Sequence, residues 1–270
     1  MLFRNLGQHM KNLNHFIKNR IEKIEKILLI PARNYKAEDF HELRIEIKKI
    51  RFVSELINSA DKDFKKQDVL AQLNKIFDLA GEFRNAQLQS DSLKKFSRRK
   101  LFADYNRKLN EHMLKAKTDF FSEAGHYDKK LFASNFDTIK NAAKDLSKSD
   151  VKKFLKKQFA RVKDALKSSQ VILQLHDVRK LLKNISYAEK LLQLKTDRDQ
   201  KLREKISDLI GEWHDLTITI EHLRKSLTHN TDKKQMIFLE DIIADLYARS
   251  TLLMQKITPK LHQVIKAIKS

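Results

Sequence analysis

Helix-breaking residues are almost absent from this chain. Its 270 residues include only two prolines, Pro31 and Pro259, and four glycines. Both residue types interrupt helices, so their scarcity permits long uninterrupted ones. Apolar residues recur at helical spacing almost throughout, and no sustained alternation of apolar and polar residues indicates a strand. The sequence therefore predicts an all-α protein.

We expect about four helices in each half of the chain. The first ends at Pro31, and the last is expected to break before Pro259. Between them the apolar pattern predicts helices at about 40–59, 69–96, 99–123, 151–169, 172–194 and 199–228, followed by the last at 233–268. The stretch 124–150 has the weakest pattern, so we predict that it joins two halves, at about 1–135 and 136–270.

A basic pattern occurs twice, and its two leading histidines are 135 residues apart, half the length of the chain. The first copy, which we call the first ridge, consists of His41, Arg44, Lys48 and Arg51, with Lys49 adding a further base. The second copy, the second ridge, consists of His176, Arg179, Lys183 and Ser186. Because Ser186 replaces a base, we expect the second ridge to bind anions less tightly.

Helical geometry places the first ridge on one narrow face. At about 100° per residue, its four side chains fall within a sector of about 80° that extends along about 15 Å of helix. Apolar residues, including Leu43, Ile47 and Ile50, occupy much of the remaining circumference. Like charges at this spacing repel one another, and partial burial increases the cost. A bound polyanion would relieve that repulsion, and the net charge of +21 would attract one.

A second repeated segment follows each ridge. Its copies read Gly81-Glu82-Phe83-Arg84-Asn85 and Gly211-Glu212-Trp213-His214-Asp215. We rank Arg84 and His214 as secondary binding candidates, because they can project toward the ridges. Lys157 and Arg161 are two more, since the helix before the second ridge is very basic. Each glycine is interpreted as a site of close approach, either to a neighbouring helix or to a ligand.

These residues resemble the CHAD family, the conserved histidine α-helical domain. The family pattern, His-x-x-Arg-x-x-x-Lys/Arg-x-x-Arg followed by Leu-Gly-x-x-Arg-Asp or a close variant, occurs in each of two halves. The first copy matches at His41, Arg44, Lys48, Arg51, Gly81 and Arg84, and the second at His176, Arg179, Lys183, Gly211 and Asp215. Departures from the pattern are Ser186, Asn85 and His214.

The resemblance covers essentially the whole chain. It implies two four-helix bundles related by pseudo-twofold symmetry, with the basic ridges facing a central groove. It also implies that the protein binds inorganic polyphosphate there. Polyphosphate granules in the cytoplasm are then one place where such a protein would be sought. The expected binding residues are His41, Arg44, Lys48, Lys49, Arg51, His176, Arg179 and Lys183.

Two other functions would use the same charge. An RNA-binding protein would show exposed aromatic side chains for stacking or a helix that reads a groove, and the aromatic residues here have core spacing. A polyphosphate or triphosphate hydrolase would need a recognisable catalytic constellation, and neither a glycine-rich phosphate loop nor a nucleophile motif is present. We therefore favour a binding protein without catalytic activity.

The cysteine and histidine content limits the cellular compartment and the kinds of metal site that are expected. The chain has no cysteine, which excludes disulfides and thiolate metal sites and favours a reducing cytoplasm. No two of its ten histidines are four residues apart, and basic neighbours would repel a metal cation from the ridges. We expect no metal, no cofactor and no membrane span, since no stretch of about 18 apolar residues occurs.

Overall fold

The computed structural model describes residues 2–96, 100–167, 171–192, 198–228 and 232–269. Within these ranges the chain forms nine α-helices and no β-strand, which confirms the predicted all-α class. The helices are α1 (Leu2–Leu28), α2 (Ala37–Ala60), α3 (Lys66–Leu93), α4 (Ala103–His126), α5 (Lys129–Lys144), α6 (Lys148–Lys167), α7 (Val171–Leu191), α8 (Arg198–Thr228) and α9 (Lys233–Lys269).

The helix α5 was not predicted, because the stretch 124–150 looked like a linker. Asp128 starts this helix, since its Oδ1 accepts hydrogen bonds from the backbone N–H groups of Lys130 (2.8 Å) and Leu131 (3.1 Å). One apolar stripe, formed by Phe132, Phe136, Ile139 and Ala143, is buried. The small polar residues that weakened the pattern lie largely on the exposed side of the helix.

The predicted break before Pro259 is also wrong, because α9 continues through the proline. The buried side chains of Ile257 and Leu261 hold the helix on both sides of it. Pro259 itself is exposed. Water can therefore solvate the carbonyl that loses its helical hydrogen bond there.

The helices belong to two compact units that are not contiguous in sequence. The first unit contains Met1–Arg84, Leu114–Gln158 and Tyr187–Leu194. The second unit contains Asn85–Met113, Phe159–Ser186 and Lys195–Ser270. The pseudo-twofold relation between residues 1–135 and 136–270 stays a prediction.

The core of the first unit is formed by α1, α2 and α5, which pack against one another. An aromatic cluster extends this core, in which Phe40 stacks on Phe83 with ring centroids 4.1 Å apart and meets Phe120 edge-on at 4.8 Å. In α2, Leu43, Ile47 and Ile50 are fully buried. This packing fixes the rotation of α2 and thereby the direction in which the first ridge points.

The second unit contains a core between α8 and α9. Leu216, Ile220 and Leu223 of α8 pack with Leu239 and Ile242 of α9. In the same unit, Val178, Leu182 and Ile185 of α7 are buried, which orients the second ridge. No helix in the described part of the chain is long and apolar enough to cross a membrane.

Candidate functional site

The first ridge lies on the face of α2 opposite the side chains that pack into the core. His41 and Lys48 are exposed, whereas Arg44 and Arg51 are half-buried. The two arginines face α3, where they contact residues of the turns that lead to Gly81. The ridge is therefore neither a fully solvated face nor part of the apolar core.

Both arginines of the first ridge contact the ring of Phe77 on α3. The guanidinium carbon of Arg44 is 3.9 Å from the ring centroid, and that of Arg51 is 3.7 Å away. The amine of Lys48 lies 5.8 Å from the same centroid. A cation over an aromatic face is attracted by the negative face of the ring. Phe77 is thus a common platform for three of the four ridge side chains.

Hydrogen bonds fix the two arginines further. Nη1 of Arg44 donates to the backbone oxygen of Phe77 at 2.5 Å. Nε of Arg51 donates to Oδ1 of Asn74 at 2.8 Å, and its Nη2 lies 4.0 Å from the carboxylate of Asp78. Each guanidinium has five N–H donors, and these contacts use only part of that capacity.

Gly81 makes room for Arg44. A Cβ atom at position 81 would meet Nη1 of Arg44 well inside van der Waals contact and its Cζ at 3.1 Å. The close approach predicted for this glycine is therefore made by the ridge arginine, which crosses the surface of α3 at the one residue without a side chain.

The second unit repeats this arrangement. Nε of Arg179 donates to the backbone oxygen of Ser207 at 3.1 Å, and a Cβ atom at Gly211 would meet that Nε at 3.0 Å. In each unit the accepting carbonyl lies four residues before the glycine. The two repeated segments of the sequence therefore meet in space, with an arginine of the ridge seated at the glycine of the following segment.

The histidine of the second ridge lies against the secondary candidate His214. The ring of His176 stacks on that of His214, with centroids 4.4 Å apart and an angle of 22°. Burial, followed by the charges of His214 and Lys180, lowers the pKa of His176 to about 4. Burial and the charge of Arg84 also lower the pKa of His41. Both shifts favour the neutral imidazole form of the ridge histidines in the free protein.

Burial lowers the pKa values of both ridge arginines, and a neighbouring like charge adds to the effect only at Arg44. Burial, and then the charge of Arg51, lower the pKa of Arg44 to about 10. Burial lowers the pKa of Arg51, and Asp78 acts in the opposite direction. Arg44 stays protonated at neutral pH, so the first ridge retains its positive charge at a cost that an anion would relieve.

Lys49 points to a different partner. Its amine contacts Oε1 of the buried Glu46 at 2.7 Å, and Arg20 of α1 lies 3.1 Å from the other carboxylate oxygen. Lys49 and Arg20 thus balance a carboxylate that is only 2% exposed. The structure does not bring Lys49 together with Arg44 and Arg51 over Phe77.

Two acidic residues of α8 contact the second ridge. The amine of Lys183 contacts the carboxylate of Asp208 at 3.0 Å. The hydroxyl of Ser186 donates to Oε1 of Glu204 at 2.9 Å. Sequence reasoning identified Ser186 as a missing base but overlooked Glu204.

The remaining candidates, Lys157 and Arg161, are exposed on α6. Lys157 belongs to the first unit and Arg161 to the second. Neither is among the contacts described for the ridges, so their role stays a prediction.

Sequence reasoning did not identify the residues of α3 and α8 that contact the ridges. These residues are Asn74, Phe77, Asp78, Glu204, Ser207 and Asp208. A signal for them was present, because Gly81 and Gly211 are 130 residues apart and the same offset relates Asn74 to Glu204 and Asp78 to Asp208. Positions one and two turns before each glycine are the places that a ridge side chain can reach.

Within the described ranges, no group of three or more side chains of the types that bind metals is close enough to hold an ion. The absence of a metal or cofactor remains a prediction.

No family model and no curated protein matches the sequence. Among solved structures, the chain is similar to the CHAD domain from the plant Ricinus communis, with 12% sequence identity and a TM-score of 0.75. The match covers 94% of this chain and 91% of the plant one. The resemblance inferred from the sequence is therefore confirmed for the fold: this chain has the fold of a CHAD domain.

Proposed function

We propose that this protein binds inorganic polyphosphate, without catalysis, through its two ridges. The observation behind the proposal is the repeated seating of a ridge arginine, Arg44 or Arg179, on a backbone carbonyl next to a glycine. In both units an arginine side chain occupies the space beside a glycine, and helix packing alone does not require this repetition. A fixed guanidinium can grip the oxygens of a phosphate in a fork.

The electrostatics of the first ridge support an anionic ligand. Arg44, Lys48 and Arg51 are all positioned around one aromatic ring. Burial of the two arginines, and for Arg44 also the charge of Arg51, raise the free energy of the empty site, as the lowered pKa values of both arginines reflect. A chain of phosphates would neutralise several of these charges at once. His41 and His176 would each gain a proton when the anion approaches, because a nearby negative charge favours the imidazolium form.

Polyphosphate suits these ridges better than RNA. The ring of Phe77 is already in contact with two guanidinium groups, and Phe40 and Phe83 stack inside the core. These aromatic rings are therefore unsuitable as platforms for unstacked bases, which single-stranded nucleic-acid binders require. Polyphosphate has no bases, so a protein that binds it needs to supply only positive charge and hydrogen-bond donors.

The deciding experiment is a binding titration of the Arg44→Ala/Arg179→Ala variant with long-chain polyphosphate at several salt concentrations. By analogy with nucleic-acid contacts, each lost cation should lower the salt slope by about one. The matched control is Lys115→Ala/Lys256→Ala, which removes one exposed lysine from each unit. If both variants behave alike, or if the arginine variant binds as the wild type does, the site assignment is wrong.

Two further measurements address the alternatives. Under our proposal excess polyphosphate displaces RNA, whereas RNA does not displace polyphosphate. Incubation with polyphosphate and Mg²⁺ or Mn²⁺ should release no phosphate above background. Sustained turnover that disappears in the arginine variant would instead establish a hydrolase.

A further inference from the structure

The two ridges differ most at the end that lies farthest from their histidines. In the first unit this end is formed by Arg51 and Asn74, joined by a hydrogen bond of 2.8 Å. In the second unit the equivalent positions are Ser186 and Glu204, joined by a hydrogen bond of 2.9 Å. Both units have a hydrogen bond between the two helices at this position, but the donor and acceptor groups differ.

The exchange reverses the local charge. Arg51 with a neutral asparagine contributes one positive charge, whereas serine with a glutamate contributes one negative charge. The carboxylate of Asp208, the residue one turn after Glu204, already contacts Lys183 at 3.0 Å. Two carboxylates therefore adjoin the far end of the second ridge, and a phosphate chain that continued past Lys183 would meet both.

At the histidine end the second ridge keeps its donors. Arg179 is seated at Gly211 as Arg44 is at Gly81. His176 and His214 stack on each other at this end, and a bound anion would favour the protonated form of His176. The favourable part of this ridge is thus about as long as the distance from His176 to Lys183, or two turns of helix.

We propose that Glu204 is a specificity-determining residue that ends the anion-binding surface of the second ridge. Phosphates then bind along the whole first ridge, but only at the histidine end of the second ridge. This inference rests on the proposed function. It goes further than the absence of a base at Ser186, because it assigns repulsion of the anion to the carboxylate that accepts the hydrogen bond of Ser186.

The test is the affinity of Glu204→Gln for long-chain polyphosphate. The glutamine can still accept the hydrogen bond from Ser186, so the contact between the helices is retained while the charge is removed. A carboxylate about 6 Å from a phosphate in water weakens binding roughly threefold, so the variant should bind about threefold more tightly at low salt. Asp241→Asn removes an exposed carboxylate from α9 and should change little.

The reciprocal variant is Asn74→Glu, which places a carboxylate at the position of the first unit that corresponds to Glu204. It should weaken binding about tenfold and lower the salt slope by about one, because the new carboxylate also neutralises Arg51. Asn141→Glu, on the exposed side of α5, is its control. Thermal unfolding of each variant verifies that the fold is kept.

The outcomes separate the two proposals. If the wild type does not bind polyphosphate, or binds it without needing Arg44 and Arg179, the proposed function fails. If binding depends on those arginines but Glu204→Gln leaves affinity unchanged, the function stands and the role of Glu204 is refuted. An equal gain in Asp241→Asn would also refute it, since net charge alone would then explain the effect.

Discussion

Replacing Gly81 by alanine should separate anion binding from stability. The new Cβ atom would overlap the guanidinium of Arg44. That group is the far end of a flexible side chain, so the arginine rather than the backbone of α3 should move. The substitution therefore displaces one ligand-binding group without altering its chemistry.

The effect on stability is a small difference between opposing contributions. Alanine in place of glycine within a helix stabilises it by about 1 kcal/mol. Displacing Arg44 removes a hydrogen bond to the oxygen of Phe77, worth about 1 kcal/mol at a half-buried site, and a cation–π contact of about 0.5–1 kcal/mol. The free energy of unfolding should therefore fall by no more than about 1 kcal/mol.

The effect on binding should be larger. Loss of one aligned arginine should weaken polyphosphate binding about tenfold and lower the salt slope by about one, by analogy with phosphate contacts in nucleic-acid complexes. Gly211→Ala should have a milder effect, because its Cβ atom would meet Nε of Arg179 at 3.0 Å and needs only a small adjustment.

Urea denaturation and polyphosphate titration at three or more salt concentrations measure the two quantities. Gly125→Ala is the matched control, since a Cβ atom there meets nothing within 4 Å. It should leave affinity unchanged and should not destabilise the protein. Wild-type affinity in Gly81→Ala would refute the role of Arg44, and destabilisation by more than about 3 kcal/mol would show that the backbone moves instead.

Affinity for polyphosphate should rise several-fold as the pH falls from about 7 to about 5, because the pKa of His176 is lowered in the free protein and a bound anion raises it; His176→Asn should flatten this profile. Phe77→Leu should weaken binding about three- to tenfold through lost cation–π contacts, and Phe77→Tyr should restore it, both measured by calorimetric titration. Lys49→Ala should lower the free energy of unfolding by about 1–2 kcal/mol, because buried Glu46 loses a partner. It should leave the salt slope of polyphosphate binding unchanged. If the salt slope fell as much as in Lys48→Ala, Lys49 would be shown to contact the anion.

The fold class could be predicted because helix periodicity is strong wherever one face of a helix is buried. The stripe Leu43, Ile47 and Ile50 illustrates this, since all three side chains are fully buried. Prediction failed where local signals were misleading. The helix α5 has only one narrow apolar stripe, and α9 continues through Pro259 because tertiary packing on both sides outweighs the lost hydrogen bond.

The candidate site could be predicted only in part. Helical spacing was sufficient to place Arg44 and Arg51 on one face, because these residues belong to a single helix. It could not show that the ring of Phe77 on α3 contacts both ridge arginines, since these contacts join residues far apart in sequence. Spacing also could not show that Glu46, three residues earlier on the same helix, is buried and holds the amine of Lys49, so Lys49 was grouped with the ridge.

The contacts of the arginines with Phe77 and Asn74 also affect the entropy of binding. A long side chain that is immobilised only when its ligand arrives costs about 0.5–1.5 kcal/mol of lost rotamer freedom. Arg44 and Arg51 are already ordered by the ring, a carbonyl and an amide. They would lose little freedom on binding, so the ordering cost would fall mainly on the flexible anion. Lysine at either position would lack this advantage, because a compact ammonium on a flexible stem does not have the planar guanidinium that contacts the ring and donates a hydrogen bond at the same time.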